Sequence, residues 1–139
     1  MKILHKQMLG LMGKADIDCH DEDGVLVFDL SGQLDVYNSG DLKDLISGFI
    51  QRGFKQFVMN MENLAYMDSS TISVFIQGLQ ALEEINGKFF LANLTGSPKD
   101  AIEMAKLQTV FNVFSDVSSA LQGMQSWFLR TNSLEQKGL

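Results

Sequence analysis

Cysteine and proline each occur once in the 139 residues, and basic residues are outnumbered by acidic ones, eleven against seventeen. The lone Cys19 cannot close an intramolecular disulfide, so no oxidising compartment is called for, and it reads as a small strand residue. A formal charge of −6 disfavours non-specific binding to a nucleic-acid backbone or an anionic membrane surface. Apolar runs such as Phe89-Phe90-Leu91-Ala92 fall far short of the roughly 20 residues that span a bilayer. The first 14 residues lack the continuous apolar core and cleavage site of a secretory leader, which leaves the expectation of a cytoplasmic protein without membrane insertion.

Catalytic signatures are equally sparse. Neither Gly-x-Gly-x-x-Gly nor Gly-x-x-x-x-Gly-Lys occurs, so no loop cradles a nucleotide phosphate. A serine hydrolase elbow wants glycines around its nucleophile and a late histidine; Ser69 has Met67 and Thr71 there, and both histidines, His5 and His20, lie near the N-terminus. His20 among Asp16, Asp18, Asp21, Glu22 and Asp23 invites a metal site, but the spacing does not complete an EF-hand and suits a solvated hairpin turn. A phospho-aspartate receiver would need an acidic pair after its first strand and a lysine after its last, whereas no lysine falls between Phe114 and Lys137. The chain is expected to be no enzyme and to hold no cofactor or metal.

What is present is an alternation of strand and helix patterns with enough apolar residues, 45%, for one core. Residues 1–14 read as an N-terminal arm or short helix. The segment from Ala15 to Cys19, the Asp23-Gly24 turn and Val25 to Leu30 read as a β-hairpin. Asn38 or Ser39 caps a helix to Arg52 with Leu42, Leu45, Ile46, Phe49 and Ile50 at helical spacing. A strand at Phe57 to Met61 precedes a loop and a helix from Ser69 to Asn86 with a stripe of Ile72, Phe75, Ile76, Leu79 and Leu82. Lys88 to Leu94 is a buried strand, Ser97-Pro98 opens a third helix to about Leu107, Val110 to Phe114 is a last strand, and Ser115 caps a final helix. Strands joined by helices of this length form a mostly parallel sheet through right-handed crossovers. The expected domain covers residues 15–130, with a frayed tail over 131–139. The clusters Met8, Leu9, Leu11, Met12 and Trp127, Phe128 read first as core, while homodimer contacts would also lie on these terminal elements.

The informative segment is Asp68-Ser69-Ser70-Thr71, which places three hydroxyls at the start of a helix after a buried strand. The free N–H groups and positive dipole end there tolerate an added anion, and a phosphate would bring a charge of about −1.5 to −2. The local alternative is a helix cap with two further first-turn residues. The chain resembles the STAS domains of bacterial anti-sigma factor antagonists from about Ala15 to Leu121. Asp68-Ser69-Ser70 is similar to the family's Asp-Ser-Ser-Gly element, Leu30-Ser31-Gly32-Gln33-Leu34-Asp35 to its Gly-x-Leu-Asp signature, and Ser97-Pro98-Lys99 fits after the fourth strand.

The resemblance implies the STAS fold: a central mixed, mostly parallel sheet of about five strands with an N-terminal hairpin, packed with about four helices. It further implies partner switching. The domain would bind an anti-sigma factor serine kinase through Asp35, Asp68, Ser69, Ser70 and Thr71, be phosphorylated by it at Ser69, with Ser70 or Thr71 as alternative acceptors, and be reset by a phosphatase. The kinase would supply nucleotide and magnesium, and Asp68 would help present the hydroxyl. The chain departs from the family at Thr71, where Gly is usual, and at Asn60, where many members carry Asp. The resemblance also admits an accessory subunit of a membrane transport or lipid-trafficking ATPase, or an unphosphorylated signalling scaffold.

Overall fold

The computed structural model describes residues 2–9 and 14–136, and the side chains of 14–126. Among the described residues six strands form one sheet in sequential order: β1 (Lys2–Leu9), β2 (Ala15–Glu22), β3 (Val25–Leu34), β4 (Gln56–Met67), β5 (Lys88–Ala92) and β6 (Asn112–Phe114). The first two pairings are antiparallel and the remaining three parallel. Four helices, α1 (Ser39–Gln51), α2 (Ser69–Glu84), α3 (Gly96–Met104) and α4 (Val117–Gln136), complete the expected mixed STAS architecture.

Strand alternation divides the sheet into two unequal faces. Leu26, Phe28 and Leu30 on β3, Phe57, Met59 and Met61 on β4, and Phe89 and Leu91 on β5 meet the inner stripes of α1 and α2 and Ile102 of α3. Phe28 stacks on Phe57 at 5.3 Å between ring centroids and meets Phe49 of α1 edge-on at 5.9 Å. The intervening residues Val25, Val27, Val58, Phe90 and Ala92 face the other way, onto Ala120 and Met124 of α4. Three helices on one face follow from three same-handed crossovers along a sequentially ordered sheet. The last helix is free to return over the opposite face.

Several strand and helix limits and caps differ from the sequence reading. Residues Lys2–Leu9 form a strand against β2 where an arm or short helix was expected, so the sheet has six strands among the described residues against an expected number of about five. β4 continues through the segment read as a loop, because Ser31 to Leu34 of β3 pair with Asn63 to Met67 across two register shifts that break the alternation. Thr95, not Ser97, holds the N-cap position of α3. At α4 it is Asp116 Oδ1 that accepts from Ser119 N, at 2.7 Å, in place of a Ser115 cap. The same helix runs to Gln136, past the point near Arg130 where fraying was expected. The side chains of Met8, Leu9, Leu11, Met12, Trp127 and Phe128, and residues 137–139, lie outside the described residues.

Candidate functional site

Leu34 and Met67 are the last register partners of the parallel pair β3–β4, so Asp35 and Asp68 leave the sheet side by side. Asp68 N donates to Leu34 O at 3.3 Å, and each aspartate opens the approach to a helix, α1 and α2 respectively. Residues 33 positions apart are thereby brought to one edge, the carboxyl end of parallel strands where crossover loops converge.

Asp68 organises this edge. One carboxylate oxygen, Oδ1, accepts from Ser70 N at 3.0 Å, from Thr71 N at 3.4 Å and from the Ser70 hydroxyl, capping α2. The other, Oδ2, accepts from Val36 N at 3.1 Å and so ties the turn before α1 to the cap of α2. Ser39 Oγ, at the start of α1, donates to Ser70 Oγ at 3.1 Å. The two helix starts are therefore joined by hydrogen bonds running from Val36 through Asp68 and Ser70 to Ser39.

The three hydroxyls have different fates. Ser69 is exposed, and among the described residues no group bonds its hydroxyl. Ser70 is half-buried and occupied as donor to Asp68 and acceptor from Ser39. Thr71 is 0% exposed, and its hydroxyl has no hydrogen-bond partner. Thr71, expected among the partner-binding residues and as an alternative acceptor, is therefore enclosed instead of facing a partner. Helical spacing places it in the inner row with Phe75, Gly78 and Leu82. Asp68 was expected to present the Ser69 hydroxyl; its oxygens bond Ser70, Thr71 and Val36 instead.

Asp35 Oδ1 accepts from Tyr37 N at 2.9 Å, its Oδ2 lies 3.7 Å from Lys14 Nζ, and its backbone N–H donates to Asn38 Oδ1 at 2.8 Å. Asn38, expected with Ser39 as a cap of α1, holds the N-cap position without a side-chain cap bond, and its side chain pins the turn, with Nδ2 donating to Gln33 O at 2.9 Å. This turn presents Val36 and Tyr37, 65% and 82% exposed, beside the start of α2, with Tyr66 also exposed on β4. Exposed aromatic and β-branched side chains next to a conformationally fixed loop are what a partner can bury. Sequence reading passed over these residues, although a turn presenting Val-Tyr after a buried strand was a usable signal.

Asn60 lies elsewhere, on the α4 side of the sheet. Its Nδ2 donates to Asp29 Oδ1 at 2.7 Å while its Oδ1 accepts from Asn93 Nδ2 at 2.9 Å, and Asp29 Oδ2 meets His20 Nε2 at 2.9 Å. An aspartate at position 60 would set a second carboxylate against Asp29, whereas the amide supplies the donor this row requires. Among the described residues no group of three or more His, Cys, Asp and Glu is arranged to hold a metal ion, and no helix is long and apolar enough to cross a membrane.

Comparison with known proteins identifies the family and the fold. Over 84 residues the chain is 26% identical to the anti-sigma-B factor antagonist of Staphylococcus aureus, covering 60% of this chain and 78% of that one. The structure superposes on an anti-sigma factor antagonist from Mycobacterium paratuberculosis with a TM-score of 0.74 at 18% identity, over 84% of this chain and 99% of that one. It superposes on the anti-sigma factor antagonist SpoIIAA in its unphosphorylated form with a TM-score of 0.72 at 20% identity, over 79% and 96% of the two chains. The sequence profile of the STAS domain matches residues 16–120, which hold both aspartates, all three hydroxyls and every strand but the first, and this chain belongs to the STAS domain family.

Proposed function

We propose that this chain is an anti-sigma factor antagonist: it binds an anti-sigma factor serine kinase through the surface formed by Asp35, Val36, Tyr37, Tyr66 and the start of α2, and it is released when that kinase phosphorylates Ser69. The observation that carries the reading is the separation of the three hydroxyls, since only Ser69 stands exposed and unbonded at the helix start. A phosphate there meets the helix N-terminus, which tolerates it, and adds about −1.5 to −2 of charge beside Asp68 and the exposed Val36–Tyr37 turn. A partner with a surface complementary to a neutral serine is then repelled and left with an unpaired buried anion. The relatives named above are antagonists of anti-sigma factors, and SpoIIAA is described in unphosphorylated and phosphorylated forms.

In this cycle the domain is a binding module. It contributes no nucleophile and base pair and takes nucleotide chemistry from the kinase, while a phosphatase restores the binding form. The test is phosphopeptide mass spectrometry on the chain isolated from its own cells during growth and stress, paired with binding of Ser69→Ala and Ser69→Asp to the co-purified ATP-binding partner. Phosphate at Ser69 that varies with condition, with Ser69→Asp binding at least tenfold more weakly, is expected. Unmodified peptides at full coverage, with an inner-membrane ATPase as the recovered partner, would replace this reading by the transport one.

A further inference from the structure

The STAS match begins at residue 16, and 84% of this chain suffices to cover 99% of the mycobacterial antagonist. Before the residues matched by the STAS profile, β1 forms an edge strand on β2, with Leu9 paired to Ala15. Lys14 is the residue immediately before β2, and it is fixed by its own backbone. Its carbonyl accepts from Gln33 N at 2.8 Å and passes so close to Gly32 that a Cβ there would stand 2.1 Å from the oxygen.

From this anchored backbone the Lys14 ammonium reaches two members of the docking turn at once. It lies 3.7 Å from Asp35 Oδ2 and 5.7 Å from the centroid of the Tyr37 ring. The Asp35 carboxylate is 15% exposed, and its other oxygen already accepts from Tyr37 N. A largely enclosed carboxylate and a highly exposed ring thus share one cation that comes from outside the matched domain. Holding a rotamer-rich side chain before contact lowers the ordering cost of association, and a cation over a ring restricts that ring.

We propose that Lys14 is a positioning residue for the docking surface: anchored by the bond from Gln33 N to its carbonyl, it holds Asp35 and Tyr37 in the arrangement a partner reads and so strengthens partner binding in this chain. The inference rests on the docking reading given above and names a determinant of it.

Full-length Lys14→Gln and Lys14→Arg test it. In Lys14→Gln the Tyr37 ring and the Val36 to Asn38 amides shift in NMR spectra while the melting temperature stays within a few degrees, and affinity for the co-purified anti-sigma kinase falls about three- to tenfold, the size expected of an exposed ion pair combined with a cation–π contact. Lys14→Arg restores the resonances and the affinity, because a charge and a flat cation remain. Wild-type resonances and affinity in Lys14→Gln overturn the proposal, and so does a Lys14→Arg variant that behaves like Lys14→Gln. Ser69→Asp is measured in parallel. If it binds as tightly as wild type, the switch reading fails, and the NMR comparison still decides the positioning by Lys14.

Discussion

Replacing Thr71 by valine should stabilise this domain, against the usual direction for a buried substitution. Valine is close to threonine in shape, so the methyl contacts in the inner row of α2 are kept and only the hydroxyl goes. That hydroxyl is buried without a partner. A buried polar group left unbonded costs about 1–3 kcal/mol relative to water, and valine and threonine, both β-branched, have nearly equal helix propensity. The net gain is about 1–3 kcal/mol, equivalent to a urea midpoint higher by about 0.7–2 M at an m-value of about 1.5 kcal/mol/M. The m-value itself should not change. Serine at position 71 keeps the hydroxyl and loses the methyl, so Thr71→Ser should be less stable than wild type by about 1 kcal/mol. The assay is equilibrium urea unfolding followed by circular dichroism for the three proteins. A Thr71→Val midpoint equal to or below wild type would refute the reasoning, since it would mean that the hydroxyl is satisfied in solution. Because Thr71 is enclosed, the substitution should also leave phosphate incorporation at Ser69 unchanged.

Other substitutions probe the remaining joints of the site. Gly32→Ala forces a side chain onto a residue at φ +85° and against Lys14 O, and should cost about 3 kcal/mol or prevent folding, read by thermal unfolding. Asp68→Ala removes the cap of α2 and the bond to Val36 and should lose about 2 kcal/mol, while Asp68→Asn, which still caps, should lose less than half of that; amide exchange at Val36 should accelerate in the alanine variant in either case. Burial, with the charges of Asp18 and Asp29 adding to it, pushes the Cys19 thiol up to about 12 from 9.0. The folded state therefore keeps a proton that the unfolded chain releases, and this thiol's contribution to stability should fall as pH rises from about 9 towards 12, making the slope steeper in wild type than in Cys19→Ala. The same thiol should react with a disulfide reagent at pH 8 only at the rate of opening of the sheet.

Most of the architecture was legible because its signals are local. The stripe Ile72, Phe75, Leu79, Leu82, the Asp23-Gly24 turn and the apolar run of β5 each declare an element within one or two turns of chain. The second half of β4 was not legible, because its two register shifts put Glu62 and Asn63, then Ala65 and Tyr66, next to each other on the exposed side and erase the period of two. β1 was missed for a related reason: it is a single edge strand whose existence depends on pairing with β2. Among the site residues, the Asp68-Ser69-Ser70-Thr71 run stood out as a helix start, but the sequence treats its hydroxyls as equals.

What the sequence determined by itself was the alternation of elements, the parallel core and the place where a charge-sensitive helix start meets a loop, since propensity, periodicity and capping act over a few residues. What only the tertiary structure decided was which hydroxyl faces solvent, which carboxylate oxygen holds which amide, and that Lys14 reaches Asp35 and Tyr37. Those facts depend on the register of β3 against β4 and on the path of the chain into β2, which bring together groups some twenty to thirty residues apart. Local sequence carries no measure of such distances.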